Sequence, residues 1–172
     1  MAPNWRKAWF DQAGEDFGVY QNICSVPGIK ECYPIHFLQM ALEKLLKGLQ
    51  SDGREPPDPK HDASEKFFKD IKNLSNISEA LDCKSHKDFV NFIGGLRNII
   101  EQLEMYVPSG TKQRENAEYP WETRSLSAGG NIQVDVRIPA NHTFNFMSRR
   151  AELDDLIKFI NECLEAYRSG KL

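Results

Sequence analysis

The chain has 172 residues, 40% hydrophobic and 27% charged, a balance that excludes a wholly disordered protein and is long enough to bury a core without covalent staples. Its formal net charge of -3 excludes a global basic field able to hold nucleic acid by charge alone. No stretch approaches the roughly 18 apolar residues of a membrane span, and the opening Met1-Ala2-Pro3-Asn4-Trp5-Arg6-Lys7 has no apolar signal core, so a cytoplasmic location and no membrane partner are expected.

A first helix is expected from about Asn4, a good N-cap, to Ile23. Trp5, Trp9, Ala13, Phe17 and Tyr20 recur on one face and are expected to be its buried side. Pro27-Gly28 breaks the chain, and a second helix follows from near Pro34, apolar over more than half its girth and hence central, until Gly53. A proline-stiffened loop leads to a third helix capped by Asp62 or Ser64 and carrying Phe67, Phe68 and Ile71. A short helical turn is expected over Ser78 to Cys83. The fourth helix is capped by Ser85 and runs to about Tyr106 on the stripe Phe89, Phe92, Ile93, Leu96, Ile99, Ile100 and Leu103. Gly94-Gly95 inside it costs on the order of 1 kcal/mol per glycine, which points to close approach by another helix, the commoner cause, or by a ligand.

Residues 107–147 form an irregular connection. Within it Ile132, Val134, Val136 and Ile138 alternate with polar residues as a half-buried strand does, with Gly129-Gly130 as a candidate hairpin turn. The last helix is expected from about Arg149 to Tyr167, with Leu153, Leu156, Ile157, Ile160, Cys163, Leu164 and Tyr167 on its apolar side. The fold class is therefore mostly α: one domain over residues 1–172, an up-and-down bundle of about five helices with a small β-hairpin before the last. Cys24, Cys32, Cys83 and Cys163 form no Cys-x-x-Cys pair and are expected to be reduced and mostly buried; no metal and no cofactor are called for.

Four segments resemble one family. Trp9-Phe10-Asp11-Gln12-Ala13-Gly14-Glu15-Asp16 is similar to the opening helix of HEPN domains, with its Gln-Ala pair and following Asp. The run His36 to Leu49, with Gln39, Ala41 and Glu43-Lys44, resembles the second HEPN helix. Gly53 to Pro57 with His61-Asp62, and Glu118-Tyr119-Pro120, resemble two further motifs in the same order along the chain. The resemblance implies a helical bundle, often a homodimer. It implies a nucleotide-binding module or a metal-independent ribonuclease, found beside a cognate nucleotidyltransferase-like partner in toxin–antitoxin pairs and in defence systems.

The ribonuclease branch pairs an Arg with a His, separated by four to six intervening residues on one helix, the Arg to steady phosphate and the His to assist proton transfer. Arg97-Asn98 matches the start of that pattern, but Gln102, Leu103 and Glu104 stand where the His belongs. Arg54 and His61 have the spacing but flank a proline-rich loop. Arg137 and His142 fall in a strand-like context. The catalytic candidates are thus Arg54, His61 and Arg97, and the site reads as degenerate. Candidate ligand-binding residues are Lys44, Arg54, His61, Arg97, Asn98, Tyr119 and Trp121. Lys44 and the neighbouring Lys47 would meet phosphate, and Trp121 would stack on a base of a nucleotide or RNA. The expected function is a non-catalytic HEPN-type binding module for a nucleotide, a nucleic acid or a cognate protein. The alternatives are a ribonuclease toxin with an Arg/His pair in a dimer groove and an accessory subunit of a larger assembly.

Overall fold

Asn4 starts the first helix as expected, its side-chain oxygen accepting from the Lys7 N–H at 3.0 Å. The computed structural model describes residues 4–54, 63–71, 74–105, 121–126, 132–137, 139–141 and 150–172. Their helices in chain order are α1 (Trp5–Cys24), α2 (Cys32–Gln50), α3 (Ala63–Asp70), α4 (Ser75–Ala80), α5 (His86–Met105) and α6 (Arg150–Arg168). The architecture is a helical bundle. Among the described residues no helix is long and apolar enough to cross a membrane.

α1 and α2 run antiparallel along each other, as the short turn between them requires. The end of α2 is tied to the start of α1 where the Trp5 N–H donates to the Gly53 carbonyl at 3.2 Å. Gly53 sits at φ +85, a conformation other residues adopt at a cost. Phe10 lies against Gly48 so closely that a Cβ there would stand 3.0 Å from the ring. α2 is central, touching α1, α3, α5 and α6, and its Ile35, Leu38, Leu42, Leu45 and Leu46 are fully buried. α6 closes the bundle: Phe159 meets Phe67 of α3 and Phe92 of α5, each at 6.4 Å between ring centroids.

Several expectations are corrected. The buried side of α1 is Phe10, Ala13, Asp16, Phe17 and Tyr20. Trp5 and Trp9 lie at its edge and remain partly exposed. Phe10 takes the inner place because Gly48 makes room for it and Tyr167 stacks on it at 4.2 Å. α4 lies three residues earlier than the expected turn, because the core takes up Ile77 and the chain already turns at Asp82, φ 51. Ser64 does not cap α3; it is inside the helix and buried. Phe159, absent from the expected stripe of α6, is fully buried. Ser85 does cap α5, accepting from the Asp88 N–H at 3.1 Å while its hydroxyl donates to the Asp88 carboxylate at 2.7 Å.

Gly94 and Gly95 are not a close-packing surface. Both are exposed, and a Cβ at either would meet nothing within 4 Å. Their backbone freedom is therefore uncompensated. Gly94→Ala and Gly95→Ala are each expected to stabilise the protein by about 0.5–1 kcal/mol, read as a rise in the urea midpoint with unchanged slope.

Strands β1 (Trp121–Leu126) and β2 (Ile132–Arg137) pair antiparallel, with Trp121 opposite Arg137 and Leu126 opposite Ile132. The Gly129-Gly130 turn lies outside the described residues. Ile132, expected on a half-buried face, is 67% exposed. It ends its strand, where the ladder offers least cover. All four cysteines are free; Cys32 and Cys163 are buried, Cys83 is partly so, and Cys24 is exposed. Desolvation pushes each thiol above its ordinary range.

Candidate functional site

The helical repeat places Trp5, Trp9, Gln12 and Asp16 along one stripe of α1, at steps of four, three and four. It places Met40 and Lys44 one turn apart on α2. Since the two helices run antiparallel, these stripes face each other across the seam. Between them lies an open groove of about 340 Å³ lined by Trp5, Ala8, Trp9, Gln12, Met40 and Lys44. Two indoles, a thioether and one ammonium form its surface, the combination that suits a flat ring bearing an anion.

Lys44 is followed and preceded on α2 by polar groups that pair with one another. Glu43 is 3% exposed; one of its carboxylate oxygens accepts from Lys47 at 2.8 Å and the other from the Gln39 amide at 3.2 Å. The Lys47 ammonium also lies 5.1 Å from the centre of the Trp9 ring, which covers part of that indole. Lys44 is held less tightly. Among the described residues its ammonium stands 3.5 Å from the Glu43 carboxylate and 3.9 Å from the Met40 sulfur, both at the limit of a hydrogen bond. Its ion pair with Glu43 is thus the longer of the two that carboxylate makes with α2 lysines.

Asp16 is 9% exposed, and its Oδ1 accepts from the Gln12 amide at 2.9 Å. Its Oδ2 is buried with no hydrogen-bond partner among the described residues. Desolvation pushes this carboxyl above the ordinary range, opposed first by the Gln12 hydrogen bond and then by the nearby Lys44 ammonium.

A second, partly buried acid, Glu104 of α5, accepts from the Ser64 N–H at 3.3 Å and from the Ser64 hydroxyl. Desolvation raises its carboxyl above the ordinary 4.5, with Ser64 opposing and Glu43 and Glu101 adding to the rise. A raised folded-state value means that folding is favoured at low pH and loses this contribution as pH climbs through the folded-state value. Stability should therefore decline on going from about the ordinary 4.5 toward neutrality. Glu104→Gln keeps an acceptor for the Ser64 N–H and a donor for its hydroxyl, so it should flatten that decline, measured as urea midpoints across the pH range.

Of the residues singled out in the sequence, Lys44 is the one placed in the groove. The Arg54 side chain is exposed just after α2, and its N–H donates to the Asp52 carboxylate at 2.9 Å. Arg97 is on the solvent side of α5, its Nε donating to Glu101 at 2.7 Å and its guanidinium 5.2 Å from the Phe68 ring. Asn98 beside it is exposed and accepts from Gln102 at 3.4 Å. His86 lies eleven residues earlier on α5, about 16 Å along the axis, so it does not complete an Arg–His pair with Arg97. His61 and Tyr119 lie outside the described residues. Trp121 opens β1 through its backbone, and its side chain also lies outside them.

The sequence did hold a signal for the residues not assigned to a site. Gln12 with Asp16, and Gln39 with Glu43, are two Gln-x-x-x-acid pairs, each interrupting an otherwise apolar helical stripe. The acid of each pair is buried, which carries a desolvation cost that packing alone does not explain.

A wider hollow of about 420 Å³ lies between α6 and the residues just after α4. Its polar lining includes Asp82, Glu162 and Glu165, and its Lys171 already donates to Asp82 at 2.7 Å. An anion is disfavoured there.

Compared with known proteins, the chain matches no family model, no curated protein and no solved structure.

Proposed function

We propose that the protein is a non-catalytic, HEPN-type binding module whose α1–α2 groove receives a nucleotide. The observation that carries this reading is the loosely held Lys44 ammonium in a groove walled by Trp5 and Trp9. Lys44 supplies charge-assisted hydrogen bonds to a phosphate. The indoles supply stacking surface for a base, a contact worth about 1–3 kcal/mol. The resemblance of α1 and α2 to the first two helices of a nucleotide-binding family supports the same assignment.

The test is a calorimetric titration with nucleoside monophosphates. Saturable binding is expected in the native chain, and Lys44→Gln is expected to weaken it about tenfold or more, the loss of one hydrogen bond to a charged group. Arg97→Gln, on the exposed face of α5, should bind as the native chain does. Unchanged binding by Lys44→Gln, or loss confined to Arg97→Gln, would overturn the assignment and return attention to α5.

A further inference from the structure

The groove presents few polar atoms, and their chemistry is one-sided. Lys44 can only donate. Gln12, exposed at the rim, could in principle offer either end of its amide. Asp16 removes that freedom. It is a turn further along α1 and nine-tenths buried, and its Oδ1 takes the Gln12 Nε2–H at 2.9 Å. In that contact the amide nitrogen is the end that faces Asp16, since it donates and the carboxyl oxygen accepts. The Gln12 carbonyl oxygen is left as the end turned away from Asp16. The surfaces around it (Trp5, Ala8, Trp9 and Met40) are apolar or nearly so and supply no competing acceptor.

We infer that Gln12, oriented by Asp16, is a specificity determinant of the α1–α2 groove, selecting nucleotides whose base carries an amino group that donates to the Gln12 carbonyl. The inference rests on the nucleotide reading of this groove and deepens it. Lys44 holds the phosphate and confers affinity for any nucleotide; Gln12 discriminates between bases. Asp16 makes no contact with the ligand and acts as a positioning residue.

Two ligands that differ in the amino group alone test this: AMP and purine riboside 5′-monophosphate. The native chain should bind AMP more tightly by about two- to tenfold, the net worth of one neutral hydrogen bond. Gln12→Met keeps the length of the side chain and removes the amide, so the ratio of the two affinities should fall to near one. Asp16→Ala frees the amide to turn, and should shrink the ratio as well while leaving Lys44 in place. A merely structural role for either residue would weaken both ligands together and leave the ratio unchanged, which would overturn the inference. Equal binding of both ligands by the native chain would overturn it too, while leaving the nucleotide reading standing. Binding of neither would overturn both.

Discussion

Phe10→Ala is expected to cost about 3–5 kcal/mol of folding stability, the range for emptying a fully buried aromatic position. Phe10 is 1% exposed and stacks on Tyr167 of α6 at 4.2 Å with the rings nearly parallel. The ring also fills the space above Gly48 of α2. Its loss therefore opens a cavity where three helices meet and removes an α1–α6 contact. Gly48 provides an internal control. A side chain added there would start 3.0 Å from the ring, so Gly48→Leu alone should destabilise. With Phe10→Ala already present, the same leucine can occupy vacated volume and should recover part of the loss. Urea denaturation of the two single variants and the double variant reads the coupling. Simple additivity would mean that Phe10 and Gly48 do not share one packing site.

Glu43→Ala is the second large effect, expected at about 3–5 kcal/mol because it breaks a buried pair by removing one partner. The carboxylate is 3% exposed, and the side chain of its partner Lys47 is 13% exposed, so solvent screens the pair little. Removing Glu43 also deprives the Gln39 amide, on a residue 2% exposed, of its acceptor. Replacing both ends, as Glu43→Met with Lys47→Met, should cost far less, since the penalty comes from an uncompensated charge and not from the absence of a pair. A loss below about 1 kcal/mol for Glu43→Ala would place the pair among ordinary surface salt bridges.

Much of the bundle is written in local pattern. The stripes of α5 and α6, the caps at Asn4 and Ser85, and the central place of α2 follow from helical spacing and capping chemistry, which depend on near neighbours. What the sequence conceals is tertiary. Trp5 and Trp9 share the period of the buried stripe, yet Phe10 takes the inner position because of Gly48 and Tyr167, which are distant in sequence. Gly94-Gly95 looks like a contact surface, but only the surrounding space shows that it is solvent-facing. The groove is concealed for the same reason. Lys44 is legible as a phosphate candidate, whereas its juxtaposition with Trp5, Trp9 and Gln12 exists only once α1 and α2 are paired. The Arg97 motif misleads in the opposite direction: its residue types suit phosphate chemistry, but its guanidinium is engaged by Glu101 and Phe68 on the outer face of α5.

The central claim is that the α1–α2 groove is the ligand site. Its most direct test is a titration of the isotope-labelled chain with AMP, following the indole N–H signals of Trp5 and Trp9 by NMR. The account predicts that both signals move progressively and saturate together, and that Lys44→Gln shifts saturation to higher AMP concentration. Indole signals that stay fixed while AMP binds elsewhere, or that stay fixed because nothing binds, would contradict it.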